Sequence, residues 1–269
     1  MSLFDAVLLA VLQGFTEFLP VSSSGHLVLA QQLLHLHNPQ IVSFDIFVHF
    51  GTLISVVIVF WKDIIEIMRS FVHAMTTNKT KEEHRKTEYY HLGMAIIVGS
   101  IPAGVIGLAF HRQVEEIFTD PKFVAMNIVI TGLILFLTRL AKPVRGKKVG
   151  IFSSIIIGLA QTVAILPGIS RSGLTISTAL FLKVSPVQAA RFSFLLSIPV
   201  IAGATLLAAY QLIADGTTIG YLQIIIGIAV STLAGYIAIK LLLQIMEKGK
   251  FSWFSLYCLV IGIFGIFIL

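Results

Sequence analysis

Gln13 and Glu17 stand four residues apart in an apolar run, so a helix would carry both on one face. Just beyond them come Ser22, Ser23, Ser24, Gly25 and His26. A second cluster, Gly168, Ser170, Arg171, Ser172, Gly173 and Thr175, follows Leu166-Pro167. Polar and ionisable groups set in apolar sequence are expensive at membrane depth and mark a candidate site. Arg171 is the sharpest of them. An unpaired guanidinium there needs an anion, and its planar fork suits phosphate oxygens. Helices beginning after Gly25 and Gly173 would each present free N–H groups and a partial positive charge. Hydroxyls, a guanidinium and two helix starts together make an anion site.

Several of these residues also have plainer uses. Glu17 serves equally as a neutral acid tying two helices together, or as the anion paired with Arg171. One of the three serines suffices as a turn and N-cap for a helix beginning near His26, which leaves the other two unexplained. His26 follows Ser23 by three residues at a helix start, within reach of its hydroxyl. Asp45 and His49, four apart on the next apolar stretch, either join the site or hydrogen-bond between helices.

The elements that must position these groups are membrane helices. Hydrophobic residues make up 57% of the 269 and charged residues 12%, with a mean hydropathy of +0.94. Soluble domains run at roughly 45–50% and about 25%, so this much apolar surface calls for a bilayer. No soluble block is left over, and one membrane domain over 1–269 is expected. The formal charge of +6 sits in short loops between apolar stretches, which membrane topology explains without nucleic acid. The single cysteine, Cys258, excludes an internal disulfide. The first Lys or Arg is Lys62, so the N-terminus lacks the basic region of a signal peptide and reads as mature sequence.

Six stretches are long enough to cross a hydrocarbon core of ~30 Å. They lie near 41–61, 90–110, 123–141, 186–210, 220–245 and 251–269. Two further apolar segments, 1–36 and 150–183, are each broken by Pro and a Ser/Gly cluster. Irregular backbone at depth is tolerated only where protein or a wet cavity encloses it, so both read as re-entrant helical hairpins. Ser22-Ser23-Ser24-Gly25 aligns with Ser170-Arg171-Ser172-Gly173 at an offset of 148, each with a Leu-Pro upstream. An odd number of spans between the hairpins turns the second copy over. That is an inverted repeat, the architecture in which sites form where discontinuous helices meet.

Loop charge fixes the orientation. Segments 62–89, 139–148 and 240–250 carry six, five and three Lys/Arg, whereas 111–122 carries two and 211–219 none. The basic segments belong in the cytoplasm, which puts both termini outside. Segment 62–89 also holds five Asp/Glu and reads as a solvated cytoplasmic connector.

The two motifs, Glu17 through His26 and Pro167 through Thr175, closely resemble those of the undecaprenyl-pyrophosphate phosphatase family, bacterial membrane enzymes also known as bacitracin-resistance proteins. The resemblance extends over nearly the whole chain and includes Phe192-Ser193-Phe194-Leu195-Leu196. It implies a multi-pass protein of the bacterial inner membrane that cleaves undecaprenyl pyrophosphate to undecaprenyl phosphate and inorganic phosphate. It also implies dependence on Mg²⁺ or Ca²⁺. Gln13 is a departure, since family members often carry Glu there, and it leaves Glu17 as the single carboxylate of the pair and the expected metal ligand.

On this reading Ser23 attacks the terminal phosphorus, with His26 as its proton acceptor or positioning group and Arg171 stabilising the transferring charge. His26 as nucleophile, or attack by water, stays open. Gln13, Ser22, Ser24, Gly25, Gly168, Ser170, Ser172, Gly173 and Thr175 are the expected substrate-binding residues. The expected partners are the lipid substrate and bilayer lipids, with a homo-oligomer left open. A lipid flippase or secondary transporter using the same anion site is the alternative, although a Ser-His pair is superfluous for transport.

Asn78→Cys and Gly216→Cys, each alone in a Cys258→Ser background, should label with a membrane-impermeant thiol reagent from opposite faces. Labelling from one face would sink the inverted repeat.

Overall fold

Proline cuts each of the two broken segments where the sequence places it. In the computed structural model, which describes residues 1–36, 39–76, 87–110, 120–215 and 220–268, helix α1 (Leu3–Phe18) ends at Leu19 in extended conformation before Pro20. Helix α2 (Ser23–Leu33) begins after a four-residue break. It starts at Ser23 rather than near His26, because Ser22 caps it by accepting from the Gly25 N–H at 3.2 Å. The second segment repeats the device. Helix α7 (Ile151–Val163) gives way at Ala164, and α8 (Arg171–Phe181) starts behind Ser170, which accepts from the Gly173 N–H at 3.0 Å.

Between and after these lie α3 (Pro39–Val59), α4 (Trp61–Thr76), α5 (Glu88–Ala109), α6 (Pro121–Leu137), α9 (Pro186–Asp215), α10 (Tyr221–Glu247) and α11 (Phe254–Ile268). Short 3₁₀ turns at Thr138–Leu140 and Phe251–Trp253 extend α6 and precede α11. No strand occurs among the described residues. Five helical segments are long and apolar enough to cross a membrane: Glu88–Ala109, Pro121–Leu140, Pro186–Leu207, Tyr221–Glu247 and Phe251–Ile268. They coincide with five of the six expected spans.

The sixth expectation, 41–61, falls on α3, which meets α4 at a bend of 75°. The connector expected over 62–89 is therefore helical over its first half. It is also amphipathic: Ile67 and Phe71 of α4 press on Gly93 of α5, while Lys62, Glu66 and Arg69 face outward or sit at its edge. Segments 77–86, 111–119 and 216–219, which hold part of the loop-charge pattern, lie outside the described residues.

Small residues let the helices close on one another, as membrane interfaces require. A Cβ at Gly14 of α1 would overlap Ala234 of α10 and stand 2.9 Å from the Ser231 carbonyl. A Cβ at Gly158 of α7 would overlap the Gly99 carbonyl of α5. So the first broken segment is seated on α10 and the second on α5. Outward, α5 presents a row of Ile97, Ile101, Val105 and Leu108, all more than half exposed, as a helix facing apolar surroundings would.

Gly158→Val forces the α5 and α7 backbones apart, whereas Gly203, with nothing within 4 Å of a Cβ, takes Ala freely inside α9. Gly158→Val should lose most folded protein on size-exclusion in detergent. Gly203→Ala should match or exceed wild-type thermal stability, by up to ~1 kcal/mol. A well-folded Gly158→Val protein would contradict the packing described.

Candidate active site

The cap of α2 is strained. Ser22 has φ +72°, in the left-handed region that non-glycine residues avoid, and such strain persists only where neighbours enforce it. His26 supplies the enforcement. Its Nδ1 lies 2.8 Å from the Ser22 carbonyl and its Nε2 2.9 Å from the Tyr257 hydroxyl on α11, with the two rings stacked at 5.6 Å. A carbonyl only accepts, so Nδ1 carries the proton, and in a neutral ring Nε2 accepts from Tyr257. Both nitrogens are thus turned away from Ser23.

Ser23 finds a different acceptor. Its hydroxyl donates to Glu17 Oε2 at 2.6 Å, across the break between α1 and α2. Gln13 Nε2 donates to the same oxygen at 3.0 Å, and Arg171 Nη2 donates to Glu17 Oε1 at 2.9 Å. The Arg171–Glu17 ion pair joins the two broken segments, with side chains only 14% and 7% exposed. Arg171 Nη1 also reaches the Ser193 carbonyl on α9 at 3.4 Å.

The two tips touch elsewhere as well: Ser172 donates to the Leu19 carbonyl at 3.2 Å, and the Gly168 N–H points at the Ser24 hydroxyl at 3.5 Å. Helix α6 holds the second tip from behind. Asn127 donates to the Pro167 carbonyl at 2.7 Å, and Thr131 bonds both the Gly168 carbonyl and the Ser170 N–H. Gly168 is required there. Its φ is +90°, and a Cβ would overlap the Val124 carbonyl.

These groups border a cavity of about 380 Å³. Its wall combines polar residues, Glu17, Ser23, Asp45, His49, Gln161 and Arg171, with apolar ones, among them Ala103 of α5, Ile165, Ile169, and Val200, Ile201 and Ala204 of α9. By helix geometry the first N–H groups of α2 and α8, at Ser23, Ser24, Arg171 and Ser172, have no intrahelical carbonyl, so both helix starts carry donors beside the cavity.

The expected residues therefore divide. Glu17, Ser22, Ser23, Ser24, Ser170 and Arg171 border the cavity. His26 does not: its ring folds back onto the Ser22 carbonyl one turn earlier, and the acceptor that the Ser23 hydroxyl meets is Glu17. Gln13, Gly25, Gly168, Ser172, Gly173 and Thr175 are not on the cavity wall and bond to the residues around it. Gln13 orients Glu17, Gly25 and Gly173 donate to the caps, and Gly168 and Ser172 join the tips. Thr175 bonds the Arg171 carbonyl and Ser193, at 2.7 and 2.6 Å. Asp45 and His49 do join the site: His49 Nε2 is 3.8 Å from Glu17 Oε2, and Asp45 accepts from Gln31.

Sequence reasoning missed Tyr257, Asn127, Thr131 and Gln161. Asn127 and Thr131, polar and four apart in an apolar span, carry the same signal that singled out Gln13 and Glu17. Gln161 stands 148 residues after Gln13, the offset of the motifs.

The residues present do not build a metal site of their own. Among the described residues no group of three or more His, Cys, Asp or Glu is arranged to hold an ion. Both oxygens of Glu17, the expected ligand, are taken by Arg171, Ser23 and Gln13.

A helical membrane protein with a buried carboxylate–guanidinium pair between two broken helices is the class that fold and site define. Its sequence places it more narrowly. The family described as "Bacitracin resistance protein BacA" matches residues 6–264, and the chain belongs to that family. It is 38% identical over 271 residues to a protein of Salinibacter ruber (strain DSM 13855 / M31), all of both chains being covered. It is 41% identical to one of Halothermothrix orenii, over 98% of this chain and 96% of the relative. It is 43% identical to one of Desulforapulum autotrophicum, over 99% and 98%. Each of these relatives is named undecaprenyl-diphosphatase.

His26→Ala removes the partner of two groups and should lower unfolding free energy by about 1–3 kcal/mol, and Tyr257→Phe by about 1 kcal/mol. The double variant should lose less than the sum, since both act through one hydrogen bond. Chemical unfolding of the four proteins in detergent reads the cycle; strictly additive losses would show that Tyr257 does not brace His26.

Proposed function

We propose that this protein is a membrane phosphatase that hydrolyses undecaprenyl pyrophosphate to undecaprenyl phosphate and inorganic phosphate, recycling the carrier lipid for cell-wall synthesis. The observation that carries this reading is the 2.6 Å hydrogen bond from Ser23 to Glu17 beside the Arg171 guanidinium. A carrier holds its anion by charge and dipoles and has no use for a hydroxyl poised on a carboxylate. The three relatives are named as diphosphatases, none as a carrier, and the flippase or transporter alternative is dropped.

The chemistry follows from the geometry. The Ser23 oxygen attacks the terminal phosphorus as Glu17 takes its proton, and the bridging P–O bond breaks to release polyprenyl phosphate. Glu17 passes that proton to the departing polyprenyl phosphate; water then attacks the phosphoserine as Glu17 takes a proton from it, and that proton returns to the Ser23 oxygen as inorganic phosphate is released. Arg171 and the N–H groups at the starts of α2 and α8 balance charge on the phosphoryl group, which is most of what such a transfer needs. Direct attack by a water held on Glu17 uses the same groups and differs only in the absence of the phosphoserine. The apolar wall between α5 and α9 gives the polyprenyl chain a path into the bilayer, where it is cheaper to keep than in water.

A divalent cation, Mg²⁺ or Ca²⁺, belongs to this reading through the family resemblance. It would take most of its ligands from the substrate and water, as Mg²⁺ commonly does, since both Glu17 oxygens are engaged and Asp45 is the other carboxylate on the cavity wall. None of the proton transfers above depends on it.

The architecture in this proposal is one domain over 1–269 with six transmembrane helices and two re-entrant hairpins, 1–36 and 150–183, in an inverted repeat. It sits in the bacterial plasma membrane with both termini outside. Support comes from the matching caps, Ser22 to Gly25 and Ser170 to Gly173, at the motif offset of 148. The odd number of expected spans between the hairpins supports it too.

Phosphate release from undecaprenyl pyrophosphate by purified protein in detergent, with and without chelator, tests the reading directly. Release at no cation concentration would overturn it. Ser23→Ala should bind the lipid almost normally while release falls by roughly 10² or more. Arg171→Lys keeps charge but loses the fork, and turnover should fall at least about tenfold, or ~1.4 kcal/mol of transition-state stabilisation. Near-wild-type turnover by the Lys variant would reduce Arg171 to a point charge.

A further inference from the structure

Gln161 is a buried amide idle at both ends. It lies on α7, is 2% exposed, and neither its amide oxygen nor its amide nitrogen has a hydrogen-bond partner. Native proteins rarely leave such a group unmade unless something else completes it. It borders the same cavity as Glu17, Ser23 and Arg171.

The repeat explains why it is idle. Gln13, the residue 148 positions earlier, commits its amide nitrogen to Glu17. The residue 148 positions after Glu17 is Ile165, which offers no carboxylate. The second glutamine therefore keeps both ends of its amide for whatever enters the cavity.

We infer that Gln161 is a substrate-binding residue of the phosphoryl pocket, its Nε2 donating to a non-bridging oxygen of the terminal phosphoryl group and its Oε1 accepting from a hydroxyl of that group or from the attacking water. An amide satisfied at both ends needs an acceptor and a donor side by side. A phosphoryl group with its own proton or its water offers both. A bare cation would engage Oε1 and repel the amide hydrogens, and a polyprenyl chain would engage neither. The inference rests on the phosphatase reading for its substrate, while the anion-binding role stands on the unpartnered amide itself.

The test uses Gln161→Met, an unbranched side chain of similar length without a hydrogen-bonding end, in the full-length protein in detergent. Without ligand, its melting temperature should equal or exceed that of wild type, because no made hydrogen bond is lost. Its kcat/KM for the lipid pyrophosphate should fall at least about tenfold. The rise in melting temperature that inorganic pyrophosphate gives wild type should shrink or vanish. Gln161→Glu, which sets a negative charge against the phosphoryl oxygens, should lose the pyrophosphate shift completely.

Wild-type kcat/KM with a wild-type pyrophosphate shift in the Met variant would overturn the inference. So would a lowered melting temperature with activity lost only in proportion to unfolded protein, the mark of a packing role. If wild type releases no phosphate yet shows a pyrophosphate shift that needs Gln161, the phosphatase reading falls and the anion-binding role survives.

Discussion

The ion pair between Glu17 and Arg171 is the constraint on which the rest depends. It is the point where two broken helices, far apart in sequence, are joined at membrane depth. A buried pair of this kind is weak evidence for stability, because desolvating both charges offsets much of their attraction. It is strong evidence for position. Removing either partner would strand a charge in apolar surroundings, so each broken segment holds the other in register. The serine caps, the α6 clamp through Asn127 and Thr131, and the close seats at Gly14 and Gly158 all serve that one alignment.

The scaffold is paired but the chemistry is not. Ser23 and Arg171 occupy the same position in their respective motifs, the first residue of a capped helix. One copy presents a hydroxyl there and the other a guanidinium. Glu17 faces Ile165 across the repeat in the same way. Two similarly capped helix starts thus differ at a few positions, and the hydroxyl and carboxylate stand on one side and the guanidinium on the other.

Much of this was legible in the sequence because it is written locally. Apolar length marks α5, α6, α9, α10 and α11, and Pro with Ser/Gly marks both breaks. Glu17, Ser23 and Arg171 stand out as polar residues in apolar surroundings. What was not legible depends on pairing over distance or on side-chain direction. The partner of His26 is 231 residues away. His26 itself shows how spacing misleads: three residues from Ser23 puts both near one face, yet helical side chains lean toward the N-terminus, and the ring reaches the Ser22 carbonyl first. The bend between α3 and α4 also escaped notice, since α4 lies in a stretch whose charge reads as a loop.

The separation of Glu17 and Arg171 by 154 residues also bears on how the protein is made. At roughly 5–20 residues per second, translation delivers the guanidinium on the order of ten to thirty seconds after the carboxylate. Through that interval Glu17 has Gln13 and Ser23 as donors but no counter-charge, and a lone anion at membrane depth is costly. The first broken segment therefore gains its full reason to settle only when the second arrives. A nascent chain halted before residue 171 therefore holds the Glu17–Ser23 hydrogen bond without the guanidinium that completes the cluster in the finished protein.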